Sequence, residues 1–268
     1  MADAMRFGFI AVLGAPNAGK STLINRIVGA KVTIVSPKVQ TTRTRVLGIV
    51  GRNRSQLVFV DTPGIFAPRR RLDRAMVDAA WKGAADADLL ALLVDSERGF
   101  DANTRAIVEQ IKGDAVLILN KVDQVPRENL LALSQAINEA GTFRETFMIS
   151  ALKGDGVEDL TDYFAASVPE GVWMFPEDQL SDMPMRLMAA EIVREKLFLQ
   201  LHQELPYALT VETEDWKTLK DGSARIAAVI IIERDSHKGI VLGKGGQRIK
   251  AVGAAAREEL ETMFDCKV

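Results

Sequence analysis

The chain has 268 residues, enough for one large or two modest domains, and at 47% hydrophobic and 26% charged it has a globular composition rather than a disordered or fibrous one. Its longest apolar runs, Leu89–Val94 and Ala227–Ile232, fall far short of the roughly 20 residues of a membrane-spanning helix, and Met1–Phe9, which contains Asp3 and Arg6, has no apolar signal core. A net charge of −2 excludes a uniformly basic nucleic-acid coat, so any such site is a local patch; the single Cys266 excludes an internal disulfide and fits a reducing compartment, by default the cytosol.

Residues 7–13, FGFIAVL, form an apolar, aromatic-rich run that stops at glycine and predict a buried strand. STLINRIVG then places Leu23, Ile24 and Ile27 at helical spacing, with Gly29 as the stop. Residues 45–51 and 56–61 predict a hairpin turning at GRNRS. Arg69–Arg71 reads as a basic loop entering a helix over 72–84. Strand 89–96, helix 101–112, strand 115–120, helix 127–140, strand 147–150 and helix 156–168 follow. Buried strands alternating with helices imply an α/β domain, a mostly parallel sheet covered on both faces.

That alternation stops at Pro169. Pro169, Pro176 and Pro184 mark a linker, whose Trp173, Met174 and Phe175 are expected to dock on one of the domains. Beyond it come a helix over 185–203, strands over 207–213 and 225–233, a short helix over 236–242, the turn GKGG, and a helix over 247–263. The expected division is an α/β domain over 1–171, a linker over 172–184 and an α+β domain over 185–268.

The turn after the first strand, Gly14-Ala15-Pro16-Asn17-Ala18-Gly19-Lys20-Ser21, matches G-x-x-x-x-G-K-[ST] between a strand and a helix. Its glycines let successive N–H groups face phosphate oxygens, the helix N-terminus adds partial positive charge, Lys20 reaches the outer phosphates, and the Ser21 hydroxyl suits Mg²⁺. This loop does not choose between ATP and GTP. Asp61-Thr62-Pro63-Gly64 closes the hairpin, where an Asp can hold Mg²⁺ through water and the Gly64 N–H can sense a γ-phosphate. Asn120-Lys121-Val122-Asp123 ends a later strand, and the Asp123 carboxylate can accept two hydrogen bonds from guanine, a pair that adenine lacks. Ser150-Ala151 completes the base pocket.

GAPNAGKS, DTPG, NKVD and SAL together resemble the signature of the translation-factor-like GTPases, and specifically the Era family. The resemblance implies GTP and GDP as ligands of Gly14 through Ser21, Thr22, Asp61 through Gly64, Asn120, Lys121, Asp123, Ser150 and Ala151. Gln40-Thr41-Thr42-Arg43 matches the family's first switch, so Thr42, in preference to Thr41, is carried over as a Mg²⁺ ligand beside Ser21 and Asp61. Lys20, Thr42, Asp61 and Gly64 are then the catalytic set. The position after DxxG that holds a water-orienting glutamine in Ras-like enzymes is Ile65, and Phe66 cannot replace it, so hydrolysis should be slow and rest on electrostatics. Asn17 resembles the residue that helps relatives bind K⁺, which predicts potassium-stimulated turnover.

The window His237–Lys250 carries Lys238, Lys244, Arg248 and Lys250 and no acid. Gly243-Lys244-Gly245-Gly246 lies between helices, the placing of a KH-domain GXXG loop that clamps single-stranded nucleic acid, with Ile240 as an apolar neighbour and Lys244, Arg248 and Lys250 supplying charge. The helix–strand–strand–helix–GXXG–helix order resembles a type II KH domain, and REKL at 194–197 and ELPYALTVE at 204–212 resemble the Era carboxyl-terminal domain. A type II KH sheet has a third strand after the last helix, and Cys266-Lys267-Val268 can supply only its start. The resemblance implies binding of 16S rRNA near its 3′ end, a role in small-subunit assembly, and a cytoplasmic monomer. Two alternatives are a non-hydrolysing RNA-binding adaptor and a signalling GTPase weakly peripheral at the inner face of the cell membrane through Arg69–Arg71 and the linker aromatics. His202, His237 and Cys266 have no partners at metal-ligand spacing.

Overall fold

The computed structural model describes residues 4–38, 41–43, 45–68, 71–201 and 205–268. The chain divides into two compact units, Met1–Thr33 with Val39–Asp182, and Ile34–Lys38 with Met183–Val268.

In the first unit, β1 (Arg6–Leu13), β2 (Val46–Arg52), β3 (Ser55–Asp61), β4 (Leu89–Asp95), β5 (Ala115–Asn120) and β6 (Phe143–Ile149) form one sheet in the order β2-β3-β1-β4-β5-β6. Every neighbouring pair is parallel except the β2–β3 hairpin. The helices are α1 (Lys20–Val28), α2 (Arg71–Ala85), α3 (Ala102–Gln110), α4 (Arg127–Ala140) and α5 (Val157–Ser167). On one face Ile10, Val12, Phe59 and Ile118 meet Leu23 and Ile24 of α1 and Leu160 and Phe164 of α5. On the other, Ala11, Leu13, Leu92 and Leu119 meet Ala80 of α2, Ile107 of α3 and Ile137 of α4. Consecutive strand residues thus enter opposite cores, which is why these strands read as unbroken apolar runs.

β6 begins at Phe143 rather than at 147, because it is an edge strand on which Arg144 and Glu145 are exposed and no apolar run announces it. The proline-rich segment up to Asp182 belongs to the first unit. The Phe7 N–H donates to Pro169 O at 3.1 Å and the Ile49 N–H to Leu180 O at 2.8 Å, so Leu180 covers the open edge of β2. Buried Gln56 donates to Phe175 O at 2.8 Å and accepts from the Met174 and Phe175 N–H groups, both at 3.0 Å. Phe175 packs with Leu47, Ile49, Val58 and Val60, and the Trp173 indole donates to Arg54 O at 3.3 Å. Met174 corrects the docking expectation: its backbone is held, but its side chain is 67% exposed.

The second unit contains α6 (Met185–Gln200), β7 (Leu209–Thr218), β8 (Ala224–Ile232), α7 (Ser236–Leu242) and α8 (Gln247–Phe264). β7 and β8 are antiparallel, and Leu197 and Leu201 pack with Leu209, Val211, Val241 and Val252. Residues 205–208 form a 3₁₀ turn, which delays β7, and the register shifts between Thr213 and Asp215. Past that bulge Trp216 meets Phe264 edge-on at 5.4 Å, extending the strand through a polar stretch that lacks alternation. Beside β8 the Ala224 N–H donates to Lys267 O at 2.8 Å, and among the described residues no third strand accompanies this contact.

Residues 34–38 are also part of this second unit. Ile34 packs with Met188, Ile192, Ala256 and Leu260. The Val35 N–H donates to Glu195 Oε1 at 2.8 Å, and Lys38 Nζ donates to the carbonyls of Phe198 and Leu201 at the C-terminal end of α6, where a cation is favoured.

Candidate nucleotide and nucleic-acid sites

The predicted nucleotide residues gather at the C-terminal ends of β1, β3, β5 and β6, the side of a parallel sheet where ligands bind. Gly14 has φ +155°, and a Cβ there would stand 2.4 Å from Leu93 O; Gly19 has φ +102°, and a Cβ there would stand 2.3 Å from Asn120 Nδ2. Both positions therefore require glycine, for backbone conformation and for space. Asn17 adopts φ 64°, while Ala15, Pro16 and Ala18 are buried. Gly64 closes on the phosphate loop, where an added Cβ would stand 2.9 Å from Pro16. The Ile65 N–H donates to Gly14 O at 3.1 Å and the Thr62 hydroxyl to Val12 O at 2.8 Å. The Ile65 side chain packs with Ala11, Leu13 and Ala80, so the position after DxxG is committed to the core.

Lys20 is buried, and its Nζ donates to Gly14 O and Ala15 O, both at 3.0 Å. Burial lowers its pKa from 10.5 to about 8, against the opposing pull of Asp61. Asp61 is fully buried, and its Oδ2 accepts from Thr33 Oγ1 at 2.8 Å, Ser21 Oγ at 2.9 Å and Thr42 Oγ1 at 3.0 Å. Burial raises the Asp61 pKa, while Lys20 and the three hydroxyls pull it back. Asp61 Oδ1 is buried and, among the described residues, has no hydrogen-bond partner. Thr42 stands at this cluster, with its Oγ1 3.2 Å from Ser21 Oγ. Gln40 lies outside the described residues. Thr22 follows Ser21 in the first turn of α1 and is half-buried. Thr33 was not singled out from sequence; the available signal was a lone hydroxyl in the apolar stretch Val32-Thr33-Ile34-Val35.

Asn120 acts as a brace. Its Nδ2 donates to Ala18 O at 2.7 Å and its Oδ1 accepts from the Ala151 N–H at 2.9 Å, tying the phosphate loop to the loop after β6. Lys121, at φ 64°, places its Nζ 2.5 Å from Asp95 Oδ2. Asp123 lies 3.3 Å from Lys153 Nζ, and a Ser150 hydrogen bond, reinforced by Lys153, holds its carboxyl below the usual range. Ser150 itself is fixed by its N–H to Asp155 O at 3.0 Å.

In the second unit, Gly243, Gly245 and Gly246 have φ of +74°, +58° and +75°. A Cβ on Gly243 would lie 2.7 Å from Arg248 Cβ, whereas Gly245 and Gly246 face open space, leaving the loop backbone approachable. Ile240, Lys244 and Lys250 are exposed. Arg248, in the first turn of α8, donates to Ile240 O, so one of its N–H groups ties α8 to α7 across the loop. Arg71 opens α2 and is exposed; Arg69, Arg70 and His202 lie outside the described residues.

A mostly parallel sheet with a phosphate loop after β1, a buried aspartate at the end of β3 and an NKxD carboxylate after β5 defines a P-loop GTPase unit, here on one chain with a KH unit. The family profile described as 50S ribosome-binding GTPase matches residues 9–121, and that of the KH domain matches residues 204–268. GTPase Era of Sinorhizobium medicae is 62% identical over 97% of this chain and 85% of its own length, and GTPase Era of Agrobacterium fabrum is 60% identical over 97% and 83%. The crystal structure of Era in complex with MgGDPNP and nucleotides 1506–1542 of 16S ribosomal RNA superimposes with TM-score 0.94 at 37% identity, covering 98% of this chain and 91% of that one. An Aquifex aeolicus Era variant bound to GDP.AlF4⁻ gives the same values. The chain belongs to the Era family of GTPases.

Proposed function

We propose that the chain is a slow GTPase switch whose KH unit binds 16S rRNA near its 3′ end and assists assembly of the small ribosomal subunit in the cytoplasm. The observation that carries this reading is an open, basic GXXG loop on a chain whose other unit holds a complete set of guanine-nucleotide motifs. Likeness over nearly the whole chain to an Era bound to 16S RNA supports the small subunit as target, in preference to the 50S particle in the description of the profile matching residues 9–121.

The Asp61 cluster fits Mg²⁺, because its donors are all oxygens and one buried carboxylate oxygen has no protein partner among the described residues. Ser21, Thr42 and, through water, Asp61 would hold the ion, which when bound neutralises charge on the outer phosphates. Lys20 adds its own charge there, and the phosphate-loop N–H groups position the chain of phosphates. Gly64 offers its N–H where a γ-phosphate ends. Asp123 selects guanine, and Asn120 keeps the phosphate and base loops in register. With Ile65 in the core, no side chain at that position orients the attacking water, so turnover is slow. Asn17 would contribute to a K⁺ site, and equal rates in sodium and potassium buffers would remove it from the account.

Coupling between the nucleotide and the RNA unit is supported by chain order. Residues 34–38 fold with the second unit, while Thr33 before them and Thr42 after them both bond Asp61. Phosphate release from GTP by the purified chain, together with binding of a 16S 3′-end oligonucleotide and a 23S fragment as control, tests the reading. Turnover excludes a non-hydrolysing adaptor; a folded chain that ignores the 16S fragment would overturn the RNA role. Co-sedimentation with anionic vesicles tests the membrane alternative.

A further inference from the structure

We infer that Thr33 is a positioning residue for the metal site, held in place by Asn25 and fixing the Asp61 carboxylate for Mg²⁺-dependent nucleotide retention. The inference rests on the GTPase reading above and adds to it two residues that no motif contains.

Three hydroxyls converge on Asp61 Oδ2, from Ser21, Thr33 and Thr42. Ser21 and Thr42 are themselves the oxygens that would face the metal, so their orientation changes with its arrival. Thr33 carries no such duty. It is buried, it makes the shortest of the three bonds at 2.8 Å, and its backbone is clamped on both sides by one side chain. Asn25, near the C-terminus of α1, accepts from the Val32 N–H at 2.9 Å and the Thr33 N–H at 3.1 Å through Oδ1, and its Nδ2 donates to Thr33 O at 2.8 Å. Val32 is anchored as well, packed with Ile24 and Val28 over Gly48, where an added Cβ would stand 2.6 Å from Ile24 and 3.5 Å from Val32. The turn after α1 is thus a rigid mount whose functional end is one hydroxyl on one carboxylate oxygen. With Oδ2 tied to a group that does not move, the other oxygen of Asp61 stays available to a metal-bound water. A freely rotating carboxylate would lose that orientation and with it part of the metal's hold on the nucleotide.

The test measures release of a fluorescent GDP from the full chain as Mg²⁺ is titrated, with thermal unfolding and release in EDTA as companion readouts. For Thr33→Val the Mg²⁺ midpoint for slow release rises about tenfold, the size expected for losing one hydrogen bond to a charged group, while release in EDTA stays at the wild-type rate. Thr33→Ser restores the wild-type midpoint, because it keeps the hydroxyl. Thr33→Ala, which introduces no new methyl contact, shifts it as Thr33→Val does, and serves if the valine variant does not fold. Asn25→Ala raises the midpoint too, and combined with Thr33→Val adds nothing further. An unchanged midpoint in both Thr33→Val and Thr33→Ala, or equal faster release with and without Mg²⁺, overturns the positioning role and leaves the GTPase reading standing. Release from the wild-type chain that ignores Mg²⁺ altogether overturns both.

Discussion

Replacing Asn120 with alanine separates a brace from a base contact. The side chain is 2% exposed, and both its polar ends are used inside the protein, on Ala18 O at 2.7 Å and the Ala151 N–H at 2.9 Å. Truncation strands that carbonyl and that N–H in a buried place, and at about 1.5 kcal/mol for each unmet group the loss is about 3 kcal/mol. With a urea m-value of about 2–3 kcal/mol/M, the midpoint of the first unit's unfolding falls by about 1 M. The measurement is urea unfolding without nucleotide, followed by tryptophan fluorescence in a Trp216→Phe background, which leaves Trp81 and Trp173, both in the first unit, as the reporters. Asn120→Asp brings no recovery, because it keeps the acceptor for Ala151 but sets a carboxylate against the Ala18 carbonyl. A midpoint unchanged within error, with guanine-nucleotide binding abolished, would remove the brace and make Asn120 a ligand contact alone.

Lys20, with its pKa lowered to about 8 by burial, is largely neutral in the free protein above that pH, so nucleotide binding there takes up a proton and GDP affinity falls by up to about tenfold per pH unit from pH 8 to 10. The unfolded chain holds that proton up to its ordinary 10.5, so the nucleotide-free protein gains stability as pH rises through the same window, a gain that Lys20→Met lacks in pH-dependent urea unfolding. At Gly245, where φ is +58° and no atom stands in the way, Gly245→Asp costs the fold only about 1 kcal/mol but puts a carboxylate where a phosphate must approach, so RNA affinity by fluorescence anisotropy drops at least about tenfold. Gly243→Ala instead lowers the melting temperature of the second unit, since its Cβ meets Arg248 at 2.7 Å. Asp123→Asn exchanges an acceptor for an amide that can donate, so affinity falls for GDP and rises for XDP, read by competition against a fluorescent nucleotide.

What the sequence made legible is what is local. The phosphate loop, DTPG and NKVD announce themselves because each needs particular residues within a few positions of a strand end, and the central strands because burial on both faces leaves no polar interruption. The start of β6 and the end of β7 were hidden by edge exposure and a bulge, which break apolar periodicity. Residues 34–38 carry no local mark of folding with the second unit; their fate is set by Glu195 and the C-terminal carbonyls of α6, some 160 residues away in sequence. The roles of Thr33 and Asn25 were hidden for the same reason: the lone hydroxyl at 33 marks a position but no partner, and a hydroxyl and an amide gain meaning only when the chain brings Asp61 to one and the turn after α1 to the other. Asn120 was legible as a motif letter, but its role as a tie between two loops required the folded geometry.

In the proposed switch, guanine nucleotide governs RNA binding. Fluorescence anisotropy of a labelled 16S 3′-end RNA, titrated with the wild-type protein in Mg²⁺ buffer, once with a non-hydrolysable GTP analogue and once with GDP, tests it directly. Binding is expected to be tighter with the analogue, and at least about tenfold weaker in Gly245→Asp under both conditions. Equal affinity with the two nucleotides would contradict the switch and leave a GTPase tethered to RNA without coupling.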